Sequence, residues 1–265
     1  MTDVLSPESR FAPGTFTPSP GRGRVTRMLF TQARTELLLN LRHAEQLLLT
    51  MIIPMALLVG LSTLPLLPVD EPRVDSVAPR VFALAVISTA FTGQAIMLGF
   101  DRRYGVLKRL AATALPRWSM VGARVLANLA IVAVQLLLLG VVAAFLGWTP
   151  SLAGVAGGVC LLLLGVAAFG ALGVLVGGAL RAEAVLAIAN TVWFVLLLAG
   201  GVVLPADSLP DGLAVVVRLL PSSALAEGME SVLREGVFPG WAPLVVLLGW
   251  AAVAGVSAVR TTRLT

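Results

Sequence analysis

Long apolar runs separated by short polar stretches dominate the pattern of hydrophobic and polar positions along this chain. A helix needs about 20 mostly apolar residues to cross the hydrocarbon core of a bilayer, and six runs come close to or exceed that length. These runs cover residues 46–67, 81–100, 120–146, 152–179, 184–204 and 241–259. The pattern therefore predicts an all-α integral membrane protein with six transmembrane helices.

Two segments of different character precede the first apolar run. Residues 1–23 contain four prolines among Ser, Thr and Gly, a composition that predicts a disordered tail. In 24–43, apolar residues such as Met28 and Leu37 recur at helical spacing, and the arginines lie mostly on other faces. This pattern is typical of an amphipathic helix in the membrane interface, with a helix packed on protein as the alternative. Residues 44–265 form the transmembrane domain.

Charge divides unevenly between the two ends of the predicted spans. One end receives both termini, the 101–124 loop and the 181–183 connection, with fifteen Lys/Arg and six Asp/Glu, a net charge of +9. The other end receives the 70–80 loop and the 205–240 connection, with four basic and eight acidic residues, a net charge of −4. Because positive charge marks the cytoplasmic face, we predict that both termini are cytoplasmic.

Composition excludes two broad classes of protein. Hydrophobic residues make up 58% of the chain and charged residues only 12%, with a mean hydropathy of +0.95, so an ordinary soluble domain is ruled out. Cys160 is the only cysteine, which excludes a disulfide scaffold. The basic residues flank apolar runs and do not form one exposed stripe, so we expect no nucleic-acid partner.

Few polar groups lie inside the predicted spans. The uncharged exceptions are Gln94, Asn128, Gln135 and Asn190. Ion-coupled carriers usually place ionisable groups at mid-membrane, and channels need a filter or a ring of charge, so both classes are disfavoured. The four polar residues could line a substrate path, although hydrogen bonding between helices is the more usual role for Asn128, Gln135 and Asn190.

Catalysis by this chain alone is also disfavoured. The single histidine, His43, lies outside the spans, so an intramembrane metal or nucleophile site lacks its usual residues. A phosphate-binding loop needs a Gly-Lys pair, but the only lysine, Lys108, follows Leu107. We therefore predict that this chain binds no cofactor or metal and is not an enzyme. Any ATP and Mg²⁺ must be bound by a partner.

The loop between the second and third spans, residues 101–117, is short and basic. Its pattern predicts a helix with an apolar strip that includes Leu107 and Leu110, and Pro116 ends it. A basic face beside an apolar strip favours docking into a protein groove, and the alternative is a positive-inside loop with no partner.

These residues resemble the membrane subunit of type-2 ATP-binding cassette (ABC) exporters, in particular the daunorubicin-resistance type. That family carries an acidic-basic-basic-x-Gly-Thr-Leu-x-x-Leu-x-x-Thr-Pro pattern in a coupling helix after the second span. Here 101–107 and 110–113 match it, except that Val106 replaces Thr and Ala114 stands where Pro is common. The resemblance implies that the ATPase partner contacts Asp101, Arg102, Arg103, Gly105, Leu107, Lys108, Arg109 and Leu110.

A second match lies between the last two spans. In the family, the segment that corresponds to residues 205–236 forms two short helices that re-enter the outer leaflet. The matching residues of this extracellular cap include Pro205, Pro210, Pro221 and Glu227. Two signals also predict the start of a helix here. Ser208 and Asp211 have the spacing of a capping box, and Pro210 is a residue that suits a first helical turn.

The resemblance implies a plasma-membrane permease that pairs with a second copy or a related permease, contacts membrane lipid and binds ABC ATPase subunits. The apolar walls favour export of a hydrophobic or amphipathic drug, antibiotic or lipid, as in multidrug efflux and antibiotic resistance. Export of a lipid-linked glycan, a peptide or a cation is the alternative within the family. A membrane scaffold that recruits a soluble partner without transport is the alternative of another class.

Pairs of glycines spaced four residues apart mark the fourth predicted span. Gly154 and Gly158 form one pair, and Gly173 and Gly177 form the other. Small residues at this spacing let helix backbones approach closely, which would position the transport helices. A chain with 26 glycines also produces such pairs without any special role.

Overall fold

The computed structural model describes residues 24–42, 44–64, 72–112, 116–199 and 210–261. Throughout these ranges the regular structure is helical, and no strand occurs in them. The prediction of an all-α membrane protein is confirmed. The helices are α1 (Val25–Arg42), α2 (Ala44–Thr63), α3 (Arg73–Val86), a π-helical segment (Ile87–Gly93), α4 (Gln94–Arg103), α5 (Val106–Ala111), α6 (Arg117–Phe145), α7 (Leu152–Ala179), α8 (Ala182–Ala199), α9 (Asp211–Arg218), α10 (Pro221–Glu235) and α11 (Trp241–Thr261).

Four of the described helices are long and apolar enough to cross a membrane. They are the continuous helix Arg73–Arg103, which joins α3, the π-helical segment and α4, and the helices Trp118–Phe145, Leu152–Ala179 and Trp241–Thr261. Two shorter apolar helices, Thr50–Thr63 and Ala182–Leu198, occupy the places of the first and fifth predicted spans. The helices are therefore compatible with six spans. Residues 1–23 and Pro205, which carry two of the sequence predictions, lie outside the described residues.

Helix α7 and the second span form the centre of the bundle. Helix α7 is apolar on every face, which is typical of a helix buried in protein or lipid. It packs against α4, α6, α10, α11 and the π-helical segment. Phe91 in the π-helical segment and Phe169 in α7 are both fully or almost fully buried in the main apolar core. This core fixes the second span, which leads directly into the basic loop.

The two glycine pairs of α7 lie against different neighbours. A methyl group added at Gly158 would lie 3.1 Å from Leu233 Cδ2 of α10, and one at Gly154 would collide with the backbone oxygen of Val232. At Gly173 it would lie 2.8 Å from the backbone oxygen of Phe91. Gly154 and Gly173 therefore allow close helix contact at the two ends of α7, so each pair contains a packing site.

Helices α9 and α10 form a bent pair before the last span. The apolar helices Gly212–Arg218 and Pro221–Glu235 meet at an angle of 82°. Trp250 of α11 donates a hydrogen bond to the backbone oxygen of Leu219 at this bend, at 2.9 Å. Helix α10 is largely buried against α3, α7 and α11. Because of this bend, α10 lies within the bundle and does not continue along the axis of α9.

Candidate functional site

The basic segment 101–117 surrounds a sharp turn at one end of the bundle. Helix α4 continues through Arg103, Gly105 adopts a left-handed φ of +71°, and the short helix α5 follows. The amide of Gly105 donates to the backbone oxygen of Arg102 at 3.0 Å, which closes the turn. The segment is therefore not the single helix that its pattern predicts. Glycine permits this turn because it has no Cβ that would penalise the left-handed region.

We call this end of the bundle the basic end. Leu98, Met120, Val174 and Ala258 pack together there, so the C-termini of α4, α7 and α11 meet the N-terminus of α6. The turn at Gly105 therefore begins from a packed base and not from a free helix end.

A buried ion-pair network ties the start of the basic segment to two other helices. Arg124 of α6 is only 3% exposed, and its Nη2 donates to Asp101 Oδ2 at 2.7 Å. The same nitrogen lies 3.4 Å from Glu36 Oε1 of α1. Gln32 donates to that Glu36 oxygen at 3.1 Å. One guanidinium thus joins α1, α4 and α6.

Two arginines link the basic segment to the connection between α7 and α8 and to the first turn of α8. Arg102 Nη1 donates to the backbone oxygen of Leu180 at 2.8 Å. Arg103 Nη1 donates to Glu183 Oε1 at 2.6 Å, in a pair that is mostly exposed. The Arg102 bond holds the main chain of the connection, whereas an exposed ion pair such as Arg103–Glu183 contributes little to stability. The first three residues of the motif are therefore all bonded within the chain.

Three further side chains of the basic segment face outward. Tyr104 is 70% exposed and stacks on Phe100, with ring centroids 6.2 Å apart. Lys108 and Arg109 of α5 are exposed. Leu107 and Leu110 also lie in α5, but their side chains are outside the described part of the structure. An exposed aromatic ring beside two exposed cations is a surface that suits an acidic and partly apolar partner.

Hydrogen bonds between helices use two of the four polar residues noted in the spans. Gln135 of α6 accepts from Thr89 Oγ1 at 2.8 Å and donates to the backbone oxygen of Thr50 at 3.0 Å. Asn128 Nδ2 donates to the backbone oxygen of Ala90 at 3.4 Å. The contacts to Thr89 and Ala90 both fall on the π-helical segment, whose wide turns interrupt the normal backbone ladder.

Gln94 and Asn190 lie in different surroundings. Gln94 is 4% exposed, and its Nε2 is buried without a hydrogen-bond partner. Asn190 is the ninth residue of the eighteen in α8 and is exposed, with exposed Thr191 beside it. An uncovered amide at the middle of an apolar helix is unfavourable in lipid, so this face of α8 requires a polar partner or water.

At the other end of the bundle, α10 is fixed by an ion pair to the second span. Arg80 donates through Nε and Nη2 to the two oxygens of Glu230, at 3.2 and 3.3 Å. Among the predicted cap residues, Pro210 precedes α9 and Pro221 begins α10. The Glu227 carboxylate accepts from Ser223 at 2.7 Å. The cap is therefore attached to the bundle by side chains as well as by the fold of the chain.

A half-open apolar groove of about 340 Å³ runs between α1, α2 and α6. Its walls are formed mainly by aliphatic side chains, including Leu37 of α1, Met51 of α2 and Val134 of α6. Gln135 also reaches the groove, but its amide is bonded to Thr89 and Thr50. Hydrocarbon fits such a surface, and a polar solute would find few partners there.

Sequence reasoning did not single out three of the charged groups that organise these sites. Arg124 is the fifth residue of the third predicted span, and Arg80 lies one residue before the second. An arginine within or beside an apolar run is the signal that could have identified both, because such a charge needs a partner. Glu36 carries no such signal, because one acid in a basic amphipathic helix is ordinary. No group of three metal-binding side chains occurs within the described ranges.

Comparison with known proteins bears on the chain as a whole. The family model described as ABC-2 type transporter matches residues 28–233, which include most of α1, the whole basic segment and most of α10. None of the curated proteins compared with this chain matches it. The family match covers well over half of the chain and agrees with the helical membrane architecture and the absence of a phosphate-binding loop. This chain is a multi-pass membrane protein that belongs to the ABC-2 type transporter family.

Proposed function

We propose that this chain is the permease of an exporter driven by a separate ABC ATPase. The observation that carries the proposal is the basic segment, which presents Tyr104, Lys108 and Arg109 outward while Asp101, Arg102 and Arg103 hold it to other helices. A partner that moves this surface would pull on α1, α6 and the connection between α7 and α8. ATP and Mg²⁺ belong to the partner, because the only lysine of this chain is not in a phosphate-binding loop.

Two permease subunits form the working transporter in this proposal. Helix α8 has an uncovered mid-helix amide at Asn190, and an amide both donates and accepts hydrogen bonds. A second permease copy or a related permease would cover this face, and the space between the two would line the path of the substrate. Rocking of the two halves would then alternate access between the membrane faces.

The cargo that suits these surfaces is hydrophobic or amphipathic, such as a drug, an antibiotic or a lipid. The groove between α1, α2 and α6 is lined mainly by aliphatic side chains. The cargo would enter from the cytoplasmic side or inner leaflet of the plasma membrane and leave past the bent pair α9 and α10. Multidrug efflux and antibiotic resistance are the roles that such an exporter would serve.

Purification with the cognate ABC ATPase tests the first part of the proposal. The double variant Lys108→Glu and Arg109→Glu should lower ATPase recovery about tenfold or more, because it reverses two exposed charges at the proposed contact. Arg260→Glu is the matched control, since Arg260 is also exposed and lies at the end of α11. Equal ATPase recovery with the double variant and the control would contradict the docking role.

Measurements of cargo flux and of membrane topology test the transport activity and the proposed orientation. Inverted membrane vesicles should take up amphipathic fluorescent dyes when ATP is supplied, and the double variant should not. A chain that binds the ATPase but moves no dye, lipid or other cargo would be a scaffold. A cysteine placed at Thr265 in a Cys160→Ala background should react only with reagents that reach the cytoplasm. Labelling from outside alone would overturn the proposed orientation.

A further inference from the structure

The network around Arg124 joins the amphipathic helix to the proposed ATPase contact. Arg124 Nη2 lies within 2.7 Å of Asp101 and 3.4 Å of Glu36, so two carboxylates from different helices share one nitrogen. The other nitrogen, Nη1, is buried and has no hydrogen-bond partner. This arrangement leaves the guanidinium with an unused donor in a buried site.

We propose that Arg124 is a positioning residue that transmits movement of the basic segment to α1, by holding Glu36 and Asp101 to one guanidinium. The inference rests on the proposed function, because it requires an ATPase to move the basic segment. It concerns α1 and not the ATPase contact itself. Arg124 touches neither the proposed partner surface nor the cargo.

The physical basis is that a buried charge must keep a partner. Removing one partner from a buried ion pair is strongly unfavourable, because the remaining charge is left uncompensated. When Asp101 moves with the end of α4, Arg124 retains Glu36, and Nη1 is available to add a second bond to that carboxylate. Two bonding arrangements of one guanidinium thus correspond to two positions of α1.

The close packing around Arg124 favours movement of α1 as a unit when the Arg124–Glu36 bond changes. Helices α1 and α6 pack extensively along their length. A methyl group at Gly122 of α6 would lie 3.2 Å from Leu29 of α1, so the two helices are also in close contact two residues before Arg124 and about two turns before Glu36. Gln32 holds the Glu36 carboxylate from within α1. A change in the Arg124–Glu36 bond therefore acts on the whole helix and not on one flexible side chain.

The experiment uses the full chain purified with its ATPase in lipid nanodiscs. Thr35 is exposed on α1, next to Glu36, and Thr35→Cys in a Cys160→Ala background carries an environment-sensitive fluorophore. ATP and Mg²⁺ should shift its emission in the parent and in the control Arg260→Gln. Glu36→Gln should lose the shift while retaining ATPase binding, because it keeps the Arg124–Asp101 bond and removes only the charge on α1.

Arg124→Gln and Arg124→Lys supply the second comparison. The glutamine variant should lose the shift, and the lysine variant should recover part of it, because one ammonium can still pair with both carboxylates. The inference is overturned if Glu36→Gln keeps the full shift, or if it releases the ATPase. A parent complex that binds ATPase without any shift overturns this inference alone, whereas a parent that binds no ATPase overturns the proposed function as well.

Discussion

Arg80 and Glu230, 150 residues apart in sequence, form a two-point ion pair that fastens α10 to the second span. The side chains are 23% and 24% exposed, so the pair is partly shielded from water. Arg234 of α10 adds a weaker contact to the same carboxylate, at 3.6 Å. The pair lies at the opposite end of the second span from the basic segment, so one continuous helix connects the two sites.

Neutralising one partner of this pair should destabilise the bundle. Hydrogen bonds to charged groups contribute about 1.5–3 kcal/mol each, so Arg80→Gln or Glu230→Gln should lower the unfolding temperature in detergent measurably. The exchanged variant, Arg80→Glu with Glu230→Arg, should restore part of the loss. Arg260→Gln serves as the control, because Arg260 is exposed. Single variants as stable as this control would show that the pair does not hold α10.

Gly177 and Gly249 give a matched test of close helix packing. A methyl group at Gly177 would collide with the backbone oxygen of Ala95, whereas none of the surrounding atoms comes within 4 Å of a methyl group at Gly249. Gly177→Ala should therefore destabilise the protein by about 1–3 kcal/mol. Gly249→Ala should be neutral or stabilise it by up to about 1 kcal/mol, because alanine favours helix. The fraction of monodisperse protein after heating measures both. Similar losses for the two variants would contradict the packing.

Alanine variants at Gly105 and Gly147 distinguish the effect of backbone strain from an effect on coupling to the partner ATPase. Both have positive φ, +71° and +94°, and a methyl group at either position would have no atom within 4 Å. Alanine at either position should therefore cost only the strain of the left-handed region, roughly 1–2 kcal/mol. We expect Gly105→Ala, and more strongly Gly105→Pro, to reduce stimulation of the partner ATPase. Gly147→Ala should leave that stimulation unchanged. Equal stimulation by the two alanine variants would remove Gly105 from the coupling mechanism.

Asn190 tests the pairing of permeases. Asn190→Leu removes an exposed polar group from α8, so the single chain should fold as well as the parent. The paired form should become weaker, because the amide would lose its partner across the interface. Pairing is measured by single-molecule photobleaching in nanodiscs, and dye flux is measured in vesicles. Asn128→Leu is the contrasting variant: it should reduce stability first, since Asn128 bonds to Ala90 within the chain. Unchanged pairing and flux in Asn190→Leu would exclude this face of α8 from both roles.

Hydropathy alone predicted the class of fold and the approximate place of most helices. The fourth predicted run, 152–179, has the same bounds as α7, and the third run, 120–146, differs from α6 by a few residues. This works because a spanning helix must satisfy its backbone internally and present apolar side chains over its whole length. The prediction of the second span was less accurate: its helix begins at Arg73, before the predicted start at residue 81. The partly buried Arg80 lies within this helix, where it is paired with Glu230 of α10.

For the basic segment, the sequence predicted the exposed surface but not the contacts that hold the segment to the bundle. Its composition indicated a partner surface, and Tyr104, Lys108 and Arg109 are exposed as such a surface requires. The sequence did not reveal that Asp101 bonds to Arg124 inside the bundle. Sequence spacing could not reveal it, because Asp101 and Arg124 are 23 positions apart on different helices, and Glu36, which shares Arg124, is on a third helix.

The sequence by itself determined that this chain is helical and lies in a membrane, which loops are basic, and that its only lysine does not follow a glycine as a phosphate-binding loop requires. Only the tertiary structure decided which faces of the helices meet. The reason is physical: in lipid, a face that packs on protein and a face that packs on hydrocarbon are both apolar, so periodicity does not distinguish them. The contacts of Gly177, the exposure of Asn190 and the sharing of Arg124 by two carboxylates therefore become visible only when the helices are assembled.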